Sequence, residues 1–239
     1  MRIKQLGNGG AFDTESTNSS FLIDFNGLDK NYLLFDCGYN VFTKLKELEK
    51  EYPDIIKKIS NIYVSHLDDD HVGSLKSLIY YRYYIHGLFT SVYSAVKEVE
   101  TFIEDVNYKM SFNKLIENKI CAYCYLKDNI NVYDNHILTP VKTFHHLECY
   151  GLKIVNDGNC IYISGDTKVC EDTINTLKHI ENTYSKYKIF HDFSNYNNYE
   201  NNVHTCEYDF NKYYKDLKCF DKIIKYHNNE NFNEEWMTT

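Results

Sequence analysis

Apolar and polar residues alternate over Arg2–Leu6, and apolar runs follow at Ser20–Phe25 and Tyr32–Phe35. All three read as strands, the last two parted by the turn-like Gly27-Leu28-Asp29-Lys30. Between the first two lies Gly7-Asn8-Gly9-Gly10-Ala11-Phe12-Asp13, a loop rich in residues that tolerate positive φ. A helix is expected over roughly Val41–Glu51, and Pro53 can open a second, short one at Asp54–Ile59. Asn61–Ser65 is a short apolar strand, and Val72–Tyr81 reads as helical. Val92, Ala95, Val96, Val99, Phe102, Ile103 and Val106 recur at helical spacing, which predicts an amphipathic helix over Ser91–Val106. Asn107–Tyr133 carries no readable period. Beyond it the pattern predicts strands at Ile137–His145, Leu152–Val155 and Cys160–Ser164, a helix at Cys170–Glu181 and a strand at Lys188–His191. A helix at Glu207–Leu217, a strand at Lys222–Tyr226 and a tail that is polar apart from Phe232, Trp236 and Met237 complete the chain. With no repeat or linker in sight, the order of elements predicts one layered α/β domain over residues 1–239.

Composition changes this picture little. The 23 Tyr and two Pro, beside abundant Asn, Lys and Ile, reflect the codon bias of an AT-rich genome, which suggests a bacterial or phage source. Charge says more. Lys and Arg number 26 against 34 Asp and Glu, a net −8. Proteins that track long nucleic acids need a basic face to neutralise phosphates, so a large polyanionic partner is disfavoured. A small phosphate ester held by metal ions is not, because metal-binding carboxylates count toward the negative total. Eight Cys stand in a chain with no leader-like h-region and no run of roughly 20 apolar residues to span a membrane. Reduced thiols in a cytoplasmic protein are the expectation. Cys121-Ala-Tyr-Cys124 is a single CxxC, read as two ordinary strand or loop thiols.

The chemistry concentrates in Ser65-His66-Leu67-Asp68-Asp69-Asp70-His71. His66, Asp68, Asp70 and His71 follow a strand, where a loop can turn several side chains toward one point. Imidazole with carboxylate suits Zn²⁺, Mn²⁺ or Fe. An acidic triplet alone would be a solvated turn, but histidines flank this one on both sides. Further candidates stand at later strand ends: His145-His146, Asp166 in Ser164-Gly165-Asp166-Thr167, and His227 after Tyr226. Each alone is weak. Together they supply what two ions need beyond the first run, with Asp166 able to bridge. Two ions ~3.5–4 Å apart can stabilise both the attacking and the leaving oxygen of a phosphoester displacement.

The His66–His71 run, with Gly165-Asp166, resembles the metallo-β-lactamase superfamily and its HxHxDH motif, and the likeness covers nearly the whole chain. Gly7–Phe12 with Asn18-Ser19-Ser20-Phe21-Leu22 resembles the N-terminal region of the tRNase Z-like branch. So do Phe35-Asp36-Cys37-Gly38, the segment His145–Gly151, His191-Asp192 and Val203-His204-Thr205. The resemblance implies a metallo-β-lactamase αββα sandwich. It implies one metal on His66, Asp68 and His145, a second on Asp70, His71 and His227, and Asp166 between them. The spacing to Tyr150-Gly151 favours His145 over His146. Zn²⁺ is the first choice of ion, with Mn²⁺ or Fe as alternatives, since Asp68 stands where the motif carries its second His. His204 is implied to lie over the site and protonate the leaving oxygen, with Asp192 orienting it and Asp70 as a further catalytic residue. The alternative for His204 is a plain residue at the start of the following helix.

No basic arm for gripping tRNA stands out. The short acidic chain, Gly9–Phe12, Phe190-His191-Asp192 and Val203-His204-Thr205 resemble the phage and bacterial anti-Pycsar cyclic-nucleotide phosphodiesterases. That likeness implies hydrolysis of 3′,5′-cyclic nucleotides such as cCMP and cUMP to 5′-monophosphates, by a homodimer in the host cytoplasm, against a defence signal. Aromatics in Tyr80–Phe89 are candidates for base stacking or for core. Two rivals are a tRNase Z-like nuclease acting on RNA or DNA, and a catalytically impaired nucleotide-binding protein.

Overall fold

Successive side chains of a strand point to opposite faces, and here both faces are apolar, so each sheet is covered on two sides. The structure is a computed structural model that describes residues 1–25, 31–111, 119–132, 135–195, 203–228 and 232–239. The turn expected at Gly27–Lys30 lies outside the described residues.

The first half builds one sheet. Strand β2 (Ser20–Asp24) runs antiparallel to both β1 (Arg2–Gly7) and β3 (Tyr32–Phe35). Helices α1 (Val41–Leu48) and α2 (Ile55–Lys58) return the chain to β4 (Ile59–Tyr63), which pairs parallel with β3. Next come α3 (Asp69–Val72), α4 (Leu75–His86), β5 (Thr90–Ser94), α5 (Glu98–Ser111) and β6 (Cys121–Tyr125). The second half builds the other sheet from β7 (Ile130–Val132), β8 (His136–Lys142), β9 (Tyr150–Asn156) and β10 (Asn159–Ile163). It continues through α6 (Glu171–Thr183), β11 (Lys186–Asp192), α7 (Glu207–Tyr214) and β12 (Ile223–Tyr226). The last strand, β13 (Met237–Thr238), returns to the first sheet beside β1. The sheet orders are β13-β1-β2-β3-β4-β5-β6 and β12-β11-β10-β9-β8-β7.

The core divides accordingly. Phe21, Ile23, Leu33 and Phe35 meet Leu152, Ile154, Ile161, Ile163 and Phe190 between the sheets. Leu22, Leu34 and Ile62 face Val41, Leu45, Leu75 and Leu78 of the first helical layer. Cys160, Tyr162 and Ile189 face Leu177, Ile180, Phe210 and Tyr214 of the second. The layers are therefore α, β, β and α. Tyr80, Tyr81 and Tyr83 pack on the first helical layer, which gives them a core role.

Two expectations need correction. Ser91–Val106 is not one helix: Thr90–Ser94 is a strand, and the helix starts at Glu98. Thr90, Val92 and Ser94 are buried in alternation, and Val92 happens to fall one helical turn before Val96, which mimics a continuous period. The tail, expected to be polar apart from Phe232, Trp236 and Met237 and to carry no element, ends in a strand in which Met237 pairs with Ile3. Among the described residues, no helix is long and apolar enough to cross a membrane.

Candidate metal centre

Strand ends carry the site. Asp36 follows β3, His66 follows β4, His145 follows β8, Asp166 follows β10, Asp192 closes β11 and His227 follows β12. Ligands in α/β sheets gather at such carboxyl ends. Local backbone shape aims the side chains. Asp36 and His227 hold positive φ, 58° and 68°, which non-glycine residues adopt at a cost of ~1–3 kcal/mol each. Gly38 lies so close to α3 that a Cβ there would stand 1.9 Å from the Asp70 carbonyl oxygen.

All nine residues singled out as ligands or catalytic groups come together. In the inner half, the Asp70 Oδ2 oxygen is 3.2 Å from His227 Nε2 and 3.4 Å from His71 Nε2. His71 Nε2 is 3.3 Å from Asp166 Oδ1, and His227 Nε2 is 3.8 Å from Asp166 Oδ2. In the outer half, Asp68 Oδ2 is 3.3 Å from His66 Nε2 and 3.1 Å from His145 Nε2. His66 Nε2 also lies 3.9 Å from Asp166 Oδ2. Asp166 therefore stands between the two halves. Above it, His204 Nδ1 bonds Asp192 Oδ2 at 2.9 Å and lies 3.7 Å from Asp166 Oδ2. His191, the neighbour of Asp192, points the other way, where its Nε2 accepts a bond from the Tyr214 hydroxyl at 2.9 Å.

The sequence reading gave no role to Asp36 or Ser65, yet these two orient the histidines. Asp36 Oδ2 accepts from His71 Nδ1 at 2.8 Å and from the Ser65 hydroxyl at 2.7 Å. Because that hydroxyl donates to Asp36, it must accept from His66 Nδ1, 2.9 Å away. One buried carboxylate thus fixes the proton on Nδ1 of both rings and turns both Nε2 lone pairs toward the cluster. Asp36 Oδ1 takes the Ser65 amide at 2.8 Å, which clamps the loop itself. The Phe35-Asp36-Cys37-Gly38 turn was the available signal, but nothing local told which rings it would meet.

The electrostatics ask for cations. Burial disfavours the charged forms of Asp70 and Asp166, yet the surrounding histidines hold Asp70 below the carboxylate range and Asp166 well below it. Burial opposes a charged His71, but Asp166, Asp70 and Asp36 push it well above its ordinary value. Burial and the neighbouring His71 press His66 down, toward the neutral form a metal needs. His204 is desolvated too, yet Asp192 and Asp166 raise it to about 9. Buried carboxylates are stable only when paired or coordinating a metal. His66 Nε2, His71 Nε2 and Asp166 Oδ1 are buried and make no hydrogen bond among the described residues. Their neighbours stand 3.3 Å away, while ligands ~2.0–2.1 Å from one tetrahedral zinc stand ~3.3 Å apart. The donors fit metal ions, and Asp70, His71, Asp166 and His227 form one group close enough to share one.

The comparisons agree with this geometry. A family model described as Anti-Pycsar protein Apyc1 matches residues 1–238. Anti-Pycsar protein Apyc1 of Paenibacillus sp. (strain J14) is 31% identical over 108 residues, 44% of this chain and 40% of that relative. The aligned part thus spans less than half of that relative's length. Among solved structures, the metallo-β-lactamase fold protein YhfI from Bacillus subtilis superposes with a TM-score of 0.70 at 16% identity, covering 97% of this chain and 88% of that one. Human tRNase Z, short form, superposes with a TM-score of 0.71 at 15% identity, covering 100% and 99%. The αββα sandwich is the metallo-β-lactamase fold.

Proposed function

This chain belongs to the Anti-Pycsar protein Apyc1 family, and from that premise we propose that it is a metal-dependent phosphodiesterase opening 3′,5′-cyclic nucleotides, such as cCMP and cUMP, to 5′-monophosphates. The observation that carries the reading is the place of Asp166, which belongs to three of the donor groups able to hold an ion and so joins the two halves. His66, Asp68 and His145 would hold the outer ion; Asp70, His71 and His227 would hold the inner one; Asp166 would touch both. Two such ions, Zn²⁺ first and Mn²⁺ or Fe as alternatives, supply Lewis-acid stabilisation of the phosphoryl charge and a nucleophile at neutral pH.

The chain's own residues do the rest. Although burial opposes it, the Asp192 and Asp166 carboxylates raise the His204 pKa to about 9, which favours its protonated form. Its Nδ1 proton is engaged by Asp192, so Nε2 carries the proton that passes to the departing 3′ oxygen. Asp192 Oδ1 lies 3.6 Å from His227 Nδ1, beyond hydrogen-bond reach, so this carboxylate orients the acid and lends its charge to the neighbouring ligand ring. Asp192 itself is fixed by the Thr167 amide at 2.8 Å. The net charge of −8 speaks for a small substrate rather than a long nucleic acid. The same reading extends to a cytoplasmic homodimer, and sedimentation at the mass of one 28.4 kDa chain would remove that part of it.

The test is turnover of a cyclic-nucleotide panel with added Zn²⁺ or Mn²⁺, beside a His66→Ala, Asp70→Ala double variant. Metal-dependent release of 5′-monophosphate, absent in the variant, is expected. A metal-loaded protein that leaves every cyclic nucleotide intact, and instead trims RNA ends, would move the assignment to a nuclease.

A further inference from the structure

His146 has no role in the site described so far, yet its position is unusual. Two consecutive residues on a straight strand send their side chains to opposite faces. The chain bends at residues 145–147, and both imidazoles come round to one side with ring centres 4.2 Å apart. Both reach the same atom. His145 Nε2 is 3.1 Å and His146 Nε2 is 3.4 Å from Asp68 Oδ2. Asp68, His145 and His146 form a group of donors all within 4.8 Å of one another. A second observation points into the same place. His66 Nε2, buried and without a hydrogen bond among the described residues, lies 3.3 Å from that same Asp68 oxygen.

The separations decide between two accounts. Asp68 already accepts from His145, so a second imidazole adds little as a mere hydrogen-bond partner, and a half-exposed ring has water to bond instead. Yet three imidazole nitrogens at 3.1–3.4 Å surround one carboxylate oxygen. Contacts of that length match ligand-to-ligand spacing about an ion at ~2.0–2.2 Å, and Asp68, His145 and His146 all lie close enough to one another to share it. Asp68 stands where the superfamily motif carries a histidine, which leaves the outer position one imidazole short. His146 is the nearest means of restoring it.

We propose that His146 is a protein ligand of the outer metal position, together with His66, Asp68 and His145, and takes over the imidazole that Asp68 displaces. The inference rests on the metal-centre reading above. With Asp166 within reach of His66, the outer shell holds more donors than the four of tetrahedral zinc, and two of them are carboxylates. A fuller, harder shell draws this position toward Mn²⁺ or Fe. The inner position, with no counterpart to His146, keeps its preference.

The experiment measures metal content and affinity rather than turnover. Zn²⁺ and Mn²⁺ are titrated against a chromophoric chelator into the metal-stripped parent, His146→Ala, Asp68→His and the Asp68→His, His146→Ala pair, and cobalt-loaded samples give visible spectra. His146 is half exposed, so its removal leaves the fold intact, and circular dichroism checks this. The expected result is one ion bound by His146→Ala as tightly as by the parent and the other ~10–100-fold more weakly, with a changed cobalt spectrum, while restoring His at position 68 cuts the loss to below ~3-fold. A His146→Ala protein that binds both ions like the parent, with an unchanged spectrum, overturns the proposal. A parent that takes up neither ion overturns the metal-centre reading beneath it.

Discussion

The two halves of the metal centre are built to different standards. In the inner half, Asp70, His71 and His227 are all buried. His71 has its far nitrogen on the Asp36 carboxylate at 2.8 Å, and His227 has its own 3.6 Å from Asp192. In the outer half, Asp68 is 28% exposed and His146 50% exposed. The far nitrogen of His145 reaches only the Val203 carbonyl, at 3.4 Å. The His66 and His145 rings are buried too, but Asp68 and His146 stand at solvent and must be ordered by an ion, whereas groups held by buried partners are fixed before it arrives. The inner half is thus the preorganised platform. The outer half is the adaptable face, and there too the sequence departs from the superfamily motif. Asp166 and His204 straddle the boundary, and the largest effects are expected from them.

Asp166→Ala breaks the comparison outright, because it removes the one group common to both halves. Metal analysis should show both ions weakened, and turnover should fall by more than ~10⁴-fold, the scale seen when one member of a catalytic unit is lost. Retention of one full-affinity ion would mean that the halves are independent sites. His204→Ala is expected next, with a ~10²–10⁴-fold loss in kcat and unaltered metal content. A substrate with a good leaving group, such as bis(p-nitrophenyl) phosphate, needs no proton on departure and should lose far less. Equal losses on both substrates would deny His204 the role of acid.

Asp36→Asn sharpens the comparison at its root. An amide has one accepting oxygen, so its N–H₂ must oppose either the Ser65 amide at the Oδ1 position or the Ser65 hydroxyl and His71 at the Oδ2 position, and the loop clamp or the ring orientation is lost. Affinity for the inner ion should fall ~10–100-fold in a chelator competition. An unchanged value would mean that ring packing alone, and not Asp36, sets the histidines.

The legibility of the site followed the range of its interactions. His66, Asp68, Asp70 and His71 announce themselves within one short run, and Asp166 and His227 each stand just past a strand that periodicity could find. Asp36 did not, because its partner His71 lies 35 residues on and is brought to it by the parallel pairing of β3 with β4 and by the Cys37 amide on the His71 carbonyl. His146 was set aside on spacing, since a bend that turns two neighbours the same way leaves no mark in the sequence. In the fold, most strands with apolar runs were readable, but β6 (Cys121–Tyr125) was not, because it lies in the stretch where no period shows. β7, with three residues, and β13, with two, are too short to show a period and exist through the strands they pair with. β5 was lost inside a helical pattern because its buried Val92 keeps the register of the helix that follows.

Ser65→Ala is the smallest change and the finest probe of the difference. It deletes the hydroxyl between His66 Nδ1 and Asp36 Oδ2 but leaves the Ser65 amide on Asp36 Oδ1 and His71 on Oδ2. Only the outer half loses an orienting bond. Its ion should bind up to ~10-fold more weakly, at the low end for an outer partner, while the inner ion keeps its affinity. Asp36→Asn and Ser65→Ala then separate by position: the first reaches the inner ion, the second spares it. If Ser65→Ala weakens both ions alike, the two halves share one rigid frame through Asp36, and the division into a platform and an adaptable face fails.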